Sequence, residues 1–178
     1  MRKLVGSFVV AFALVAVLVP ATASATHSNG QGPGKDFRNG SHKGFCPTPF
    51  GTFPCDVHVN GQSQSATGPG VPAQGNWFIR IYPGGVLGLT LVELSGEVVC
   101  LNAIGNSAWT RLRIDNSSTG LAPPGFTILD RAIDNGEGVN DPEDTSTGFL
   151  APPGTTCPTT PFSTTPIGSG NITNHDGI

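Results

Sequence analysis

Gly96-Glu-Val-Val-Cys-Leu-Asn-Ala-Ile-Gly-Asn-Ser-Ala-Trp-Thr-Arg-Leu-Arg-Ile114 carries the pattern on which the fold turns. Gly105-Asn106 stands between two runs of strand-forming residues, 96–103 and 108–114, and a short Gly-Asn connection between such runs is a hairpin signal. In the second run a period of two places Ala108, Thr110, Leu112 and Ile114 on the core face. Trp109, Arg111 and Arg113 then point outward, where a guanidinium can stack on the indole. Ser95-Gly96 marks a bend at the start of the first run.

The same alternation recurs on both sides of this hairpin. Val57 and Val59 alternate with His58 and Asn60 in the segment 56–64, and Trp77, Ile79 and Ile81 alternate with Phe78, Arg80 and Tyr82 in 76–82. Both faces of the latter are bulky, which predicts a central strand. Ala66 to Gly75 holds enough Gly and Pro to read as a long connection. Leu87, Leu89 and Leu91 follow the Pro83-Gly84-Gly85 turn as a further strand, and Phe126–Asp134, Gly148–Leu150 and Asn171–His175 complete the set. The repeated Leu-Ala-Pro-Pro-Gly at 121–125 and 150–154 is turn chemistry recurring by composition, since its flanks differ. Seven or eight short strands without an amphipathic helix predict an all-β fold. A single antiparallel barrel is expected, with a β-sandwich as the alternative. Closure removes sheet edges that would invite aggregation.

The first 25 residues stand apart from this pattern. Arg2 and Lys3 precede an almost wholly apolar run, Leu4 to Val19, then Pro20 and the small residues Ala21 to Ala25, the order of a cleavable signal peptide spanning 1–25. The run is shorter than the ~20 residues that span a bilayer. Residues 26–34 have nothing to bury and read as a flexible lead; 35–178 read as one all-β domain with a Pro-, Thr- and Ser-rich segment at 152–170, held through Cys157. About 153 residues follow the cleavage point. A chain of about 150 buries roughly 68% of its unfolded surface, so it can form a core. The 25 Gly and 16 Pro imply many turns.

Without Arg2 and Lys3, seven basic residues face twelve acidic ones, leaving about five net negative charges, and no basic cluster exists. Nucleic acid is therefore not an expected partner, and neither is stable membrane insertion after signal removal. The four cysteines, Cys46, Cys55, Cys100 and Cys157, are an even set in an exported chain and read as two disulfides. Spacing leaves three connectivities open. The one favoured here joins Cys46 to Cys55 around a short Pro-rich loop and Cys100 to Cys157 across the domain.

Lys35-Asp36-Phe37, Val57-His58-Val59-Asn60-Gly61-Gln62-Ser63, Ser95-Gly96-Glu97-Val98-Val99-Cys100-Leu101 through Gly105-Asn106, Asp134-Asn135-Gly136 and Gly170-Asn171-Ile172-Thr173-Asn174-His175-Asp176 occur in that order over most of the chain. In this the chain resembles a group of small, uncharacterised exported proteins of actinobacteria and related soil bacteria. The resemblance implies a shared secreted β-fold and no particular activity. It also implies that Cys100 pairs with Cys157, with Cys46 and Cys55 a local addition.

Three constellations are candidates for chemistry. Six of the twelve carboxylates lie between Asp130 and Asp144. Asp134, Glu137, Asn140, Asp141 and Asp144 offer oxygens on a turn, the donor type Ca²⁺ requires, although the spacing is not that of an EF-hand. The preferred reading is a solvated loop without a cofactor. His42, Cys46, Cys55 and His58 form a chemically sound zinc set, which a Cys46–Cys55 disulfide would abolish. Trp77, Tyr82 and Phe126, with Phe37 and Phe78, are candidates to line a ligand cavity, and are equally what a filled core would use.

The sequence lacks a Gly-x-Ser-x-Gly elbow, a His-Glu-x-x-His pair and a phosphate-cradling loop. A secreted β-barrel acting as a binding or structural module, with an unknown small ligand or an envelope component as partner, is the leading expectation. An extracellular hydrolase using His58, or Glu93 with Glu97, is the alternative.

Overall fold

The computed structural model describes residues 35–64, 71–84, 91–136, 140–158 and 160–176. The expected signal peptide, the lead 26–34, Leu87, Leu89 and Glu137 lie outside them. Nine strands follow in order: β1 Phe37–Thr48, β2 Gly51–Ser63, β3 Ala73–Ile81, β4 Val92–Ile104, β5 Ser107–Ser117, β6 Thr127–Ile133, β7 Thr145–Ala151, β8 Thr165–Pro166 and β9 Ser169–His175. All belong to one antiparallel sheet ordered β8-β7-β6-β5-β4-β3-β2-β1-β9. It is a single curled sheet, barrel-like, and not two sheets stacked as a sandwich.

The β4–β5 hairpin turns at Gly105-Asn106. Its Ala103↔Ala108, Leu101↔Thr110 and Val98↔Leu112 pairs put small and branched residues inside, and all six are buried. Val57 and Val59 of β2, Trp77, Ile79 and Ile81 of β3, and Val92 and Leu94 of β4 join the same core. Two glycines let the sheet curl around it. Gly75 has φ +149°, where a Cβ would run into the Asn60 carbonyl, and Gly96, at a register shift between β4 and β5, stands where a Cβ would strike the Arg113 carbonyl. The bend expected at Ser95-Gly96 is this irregularity. Gly96 is also the cross-strand partner of Trp77, whose Nε1 donates to the Arg113 carbonyl at 3.0 Å.

The two ends of the sheet are brought together by the last two strands, which are adjacent in sequence but pair at opposite edges. β8 lies on β7 and β9 on β1. Between them the Ile167 amide donates to the Asp144 carbonyl at 3.0 Å and the Gly168 amide to the Lys43 carbonyl at 2.7 Å, so the chain crosses the seam. Beyond the crossing, carboxylates replace a strand ladder: the Ile172 amide donates to Asp144 Oδ2 (2.8 Å) and the Asn174 amide to Asp134 Oδ2 (3.2 Å). Asn174 Nδ2 adds a bond to the Ala132 carbonyl at 3.1 Å. Side chains thus satisfy amides on the open edge of β9 and bridge the two ends of the curled sheet.

Several local expectations are corrected. The Pro-rich stretch from Cys46 to Cys55 is not a loop but the end of a long β1–β2 hairpin. Only Phe37–Lys43 of β1 pairs with β9, and β2 meets β3 from Cys55 onward, so residues 44–54 extend as a two-stranded ribbon to which no third strand pairs among the described residues, although the Tyr82 amide donates to the Pro54 carbonyl at 2.9 Å. Prolines 47 and 54 are tolerated there because no third strand requires their missing N–H groups. β3 starts at Ala73, inside the connection expected to run to Gly75, and β4 starts at Val92. Trp109 points outward but is buried; the guanidinium over it, 5.3 Å from the ring centre, is that of Arg131 on the neighbouring strand.

The segment after β7 supplies the cover over this outer face. Arg111 Nη1 donates to the Thr155 carbonyl and Arg131 Nη1 to the Phe162 carbonyl, while Phe162 meets Phe149 edge-on at 5.1 Å. The segment is therefore held at several points besides Cys157. The Cys100–Cys157 disulfide (Cα–Cα 6.1 Å) ties it to β4, and Cys46–Cys55 (5.8 Å) ties the two strands of the ribbon.

A cavity at the mouth of the barrel

The inward alternation of β2, β3 and β4 ends in an apolar cavity of about 130 Å³. Val57, Ile79, Ile81, Val92, Leu94 and Ile128 form its walls. The ribbon of residues 44–54 borders the opening, with the Cys46–Cys55 disulfide among the lining groups. Phe45 (65% exposed), Phe50 (51%), Leu121 and Phe149 make an apolar lip, a grouping that soluble surfaces seldom show without a binding role. Both Gly44 and Gly148 line the cavity; a Cβ at Gly44 would meet nothing closer than His42 Cδ2 at 3.9 Å, whereas one at Gly148 would press on Ile128 Cγ2 at 3.0 Å.

The buried polar residues of the lining are His42 of β1, Asp130 of β6 and Ser146 of β7, while Thr48, Thr147 and Thr165 add less buried hydroxyls. Asp130 is already engaged. Arg38, 1% exposed, pairs with its carboxylate and donates to Thr110 Oγ1 at 3.1 Å; Thr110 donates to Asp130 Oδ2 at 2.8 Å and Ser146 to Oδ1 at 3.3 Å. Burial pushes the Arg38 guanidinium down to about 9, which leaves it charged at neutral pH opposite Asp130.

His42 differs. It is 6% exposed, and its Nδ1 has no hydrogen-bond partner among the described residues. Burial above all, then the charges of Arg38 and His58, pushes its pKa down to about 4, so the imidazole is neutral at neutral pH. A neutral imidazole carries one donor and one acceptor.

The residues singled out from sequence fall elsewhere. Trp77 fills the core, Tyr82 donates from its hydroxyl to Asp56 Oδ2 at 2.7 Å, and Phe126 packs against the core from a half-buried position; the cavity lining is drawn from other residues. Phe37 stacks on His175 at 5.2 Å, outside the cavity. In the acidic segment, Asp134 also accepts from the Gly136 amide (2.9 Å) and Asp144 from the Asn135 amide (2.9 Å), so both carboxylates serve backbone groups. Among the described residues no three His, Cys, Asp or Glu side chains are grouped to hold a metal, Asp134, Asp141 and Asp144 included. The thiolates of the His42–Cys46–Cys55–His58 set are consumed by the disulfide.

A shallow polar groove on the outer face of the sheet gathers His58, Asn60, Asn76, Glu97 and Asp115. Its carboxylates are matched by a cation, since Arg113 pairs with Glu97 (2.8 Å) and Asp115 (2.8 Å). Glu93, the other member of the acid pair considered from sequence, pairs with Arg80 at 2.9 Å.

Sequence reasoning missed Arg38 and the hydrophobic lip, and named His42 only as a zinc ligand and not as a cavity residue. Nothing local distinguishes Arg38 from a surface arginine, and the lip residues lie in a stretch rich in proline. Inward position on β1 was the one usable signal, because Arg38, Gly40, His42 and Gly44 share a face. The fold and cavity together define a disulfide-bonded, single antiparallel β-sheet curled into a half-barrel with an apolar mouth. No family model, curated protein or solved structure matches the chain.

Proposed function

We propose that this protein is an exported binding module, at or outside the cell envelope, that holds a small apolar molecule in the mouth of its barrel. The observation that carries the reading is the lip: four large apolar side chains stay partly in water around a cavity with apolar walls. An apolar cavity near 150 Å³ takes one benzene, so this volume suits a single ring or a short alkyl chain. Export is supported by the signal-peptide order of residues 1–25 and by two disulfides, which fit an oxidising compartment. The resemblance to exported actinobacterial proteins supports the same location.

The test is a titration of the secreted protein with toluene, followed by calorimetry and by the methyl resonances of Leu94 and Ile128. Saturable binding with shifts at those methyls, lost in Ala122→Phe where the new ring fills the cavity, supports the reading. A flat titration retires it. Recovery of the mature protein in culture medium, with an N-terminus at Thr26, tests the export half.

A further inference from the structure

We infer that the occupant of the mouth is a neutral molecule with one hydroxyl on an apolar body, the hydroxyl bonding to His42 and the body lying against Leu94, Ile128 and the Cys46–Cys55 bridge. This rests on the reading of the cavity as a ligand site and goes beyond it by naming the polar anchor and the charge state of the ligand.

The inference starts from an unsatisfied atom. His42 lies in the lining and is almost wholly buried, yet its Nδ1 is without a partner among the described residues. A buried polar atom left unpaired is costly, and native structures seldom keep one without a reason. Asp130 and Ser146, the other buried polar residues there, already bond to each other, and Asp130 is also held by Arg38 and Thr110; of the less buried hydroxyls, Thr48 donates to the Gly51 carbonyl and Thr165 to the Ser146 carbonyl. Among the buried polar residues of the lining, His42 is the one with a side-chain atom left without a partner among the described residues.

Geometry shows how a ligand reaches it. The Cδ2 edge of the ring lies 3.9 Å from where a Cβ on Gly44 would sit, and Gly44 also lines the cavity. A half-turn about χ2, a two-fold torsion for histidine, exchanges Nδ1 with Cδ2 and brings the nitrogen to that edge. Absence of a side chain at residue 44 keeps the approach open.

Charge decides between classes of polar head. Arg38 shares the inward face of β1 with His42, Asp130 from β6 shares the cavity lining with it, and His58 of β2 acts on it only as a charge from the outer face of the sheet. Arg38 is neutralised by Asp130 and no lysine or arginine is among the described lining residues, so an anionic head would be buried there without a counter-charge. A hydroxyl can donate to or accept from a neutral imidazole without bringing a charge into an apolar site.

Three probes of one shape test this: toluene, p-cresol and p-toluate, titrated at pH 7 into wild-type protein and into His42→Leu. The expected result is p-cresol at least tenfold tighter than toluene in the wild type, p-toluate weaker than either, and a p-cresol to toluene ratio below threefold in the variant. Equal affinity of toluene and p-cresol in the wild type overturns the anchor while leaving the apolar site standing. Tighter binding of p-toluate overturns the neutral head. Binding of none of the three overturns both this inference and the reading beneath it. The wild-type ratio decides the question even if the variant does not fold.

Discussion

Arg38 of β1 and Asp130 of β6 meet inside the barrel, 92 positions apart in the chain and each about 95% buried or more. Thr110 on β5 bonds to both partners, so three strands converge on one polar knot.

Breaking that knot on one side is expected to be far worse than removing it. Asp130→Ala leaves a buried guanidinium without its counter-charge and should cost about 3–5 kcal/mol of unfolding free energy. The Arg38→Met, Asp130→Leu double variant should recover most of that loss. Urea melts of wild type and both variants check it; a single variant within about 1 kcal/mol of wild type contradicts the burial argument.

His42 should make the protein acid-sensitive. Its folded pKa of about 4 lies below the ordinary 6.5, so between those values the unfolded chain binds the proton more readily. Stability from this group is present above about pH 6.5 and is lost as pH falls toward 4. The melting temperature of wild type should drop over that window more than that of His42→Leu, and the difference between the two curves isolates His42 from other acids.

Asp134 and Asp144 are expected to act as closure groups for β9. Asp144→Ala removes the acceptors of the Ile172 and Asn135 amides and should cost about 1–3 kcal/mol. Hydrogen exchange at Ile172 should accelerate well beyond that at Leu112 in the β4–β5 hairpin. Because both carboxylates are bonded to the backbone, calcium and then chelator should leave the melting temperature unchanged; a rise with calcium would show that the loop rearranges to hold the ion.

The two disulfides should contribute unequally. Cys100 and Cys157 are 57 positions apart and Cys46 and Cys55 are 9 apart. Chain entropy then gives about 4 kcal/mol for the first bridge and under about 3 for the second. Paired Cys→Ser variants compared by thermal melting test this order. The shorter bridge lines the cavity, so its loss should weaken toluene binding more than loss of the longer one does.

Alternation along 108–114 and 76–82 determined the all-β class, the β4–β5 hairpin and the inward faces of β3 and β5, because a period of two is a local property of an extended backbone. The glycine at 96 marked the bend, which the structure shows as a register shift between β4 and β5. The strand pairing of 37–48, by contrast, was not legible: glycine at 40 and 44 and proline at 47 depress local strand propensity, and the strand is specified by neighbours on either side.

What only the tertiary structure decided is where the polar residues go. Asp130, Asp134 and Asp144 read as one acidic stretch, yet one neutralises an arginine from β1 and two close the seam with β9, over separations no local pattern encodes. The cavity is settled at the same level. Curling brings β1, β3, β4 and β7 around one space, and the residues that line it are chosen by sheet curvature and register and not by their hydrophobicity alone.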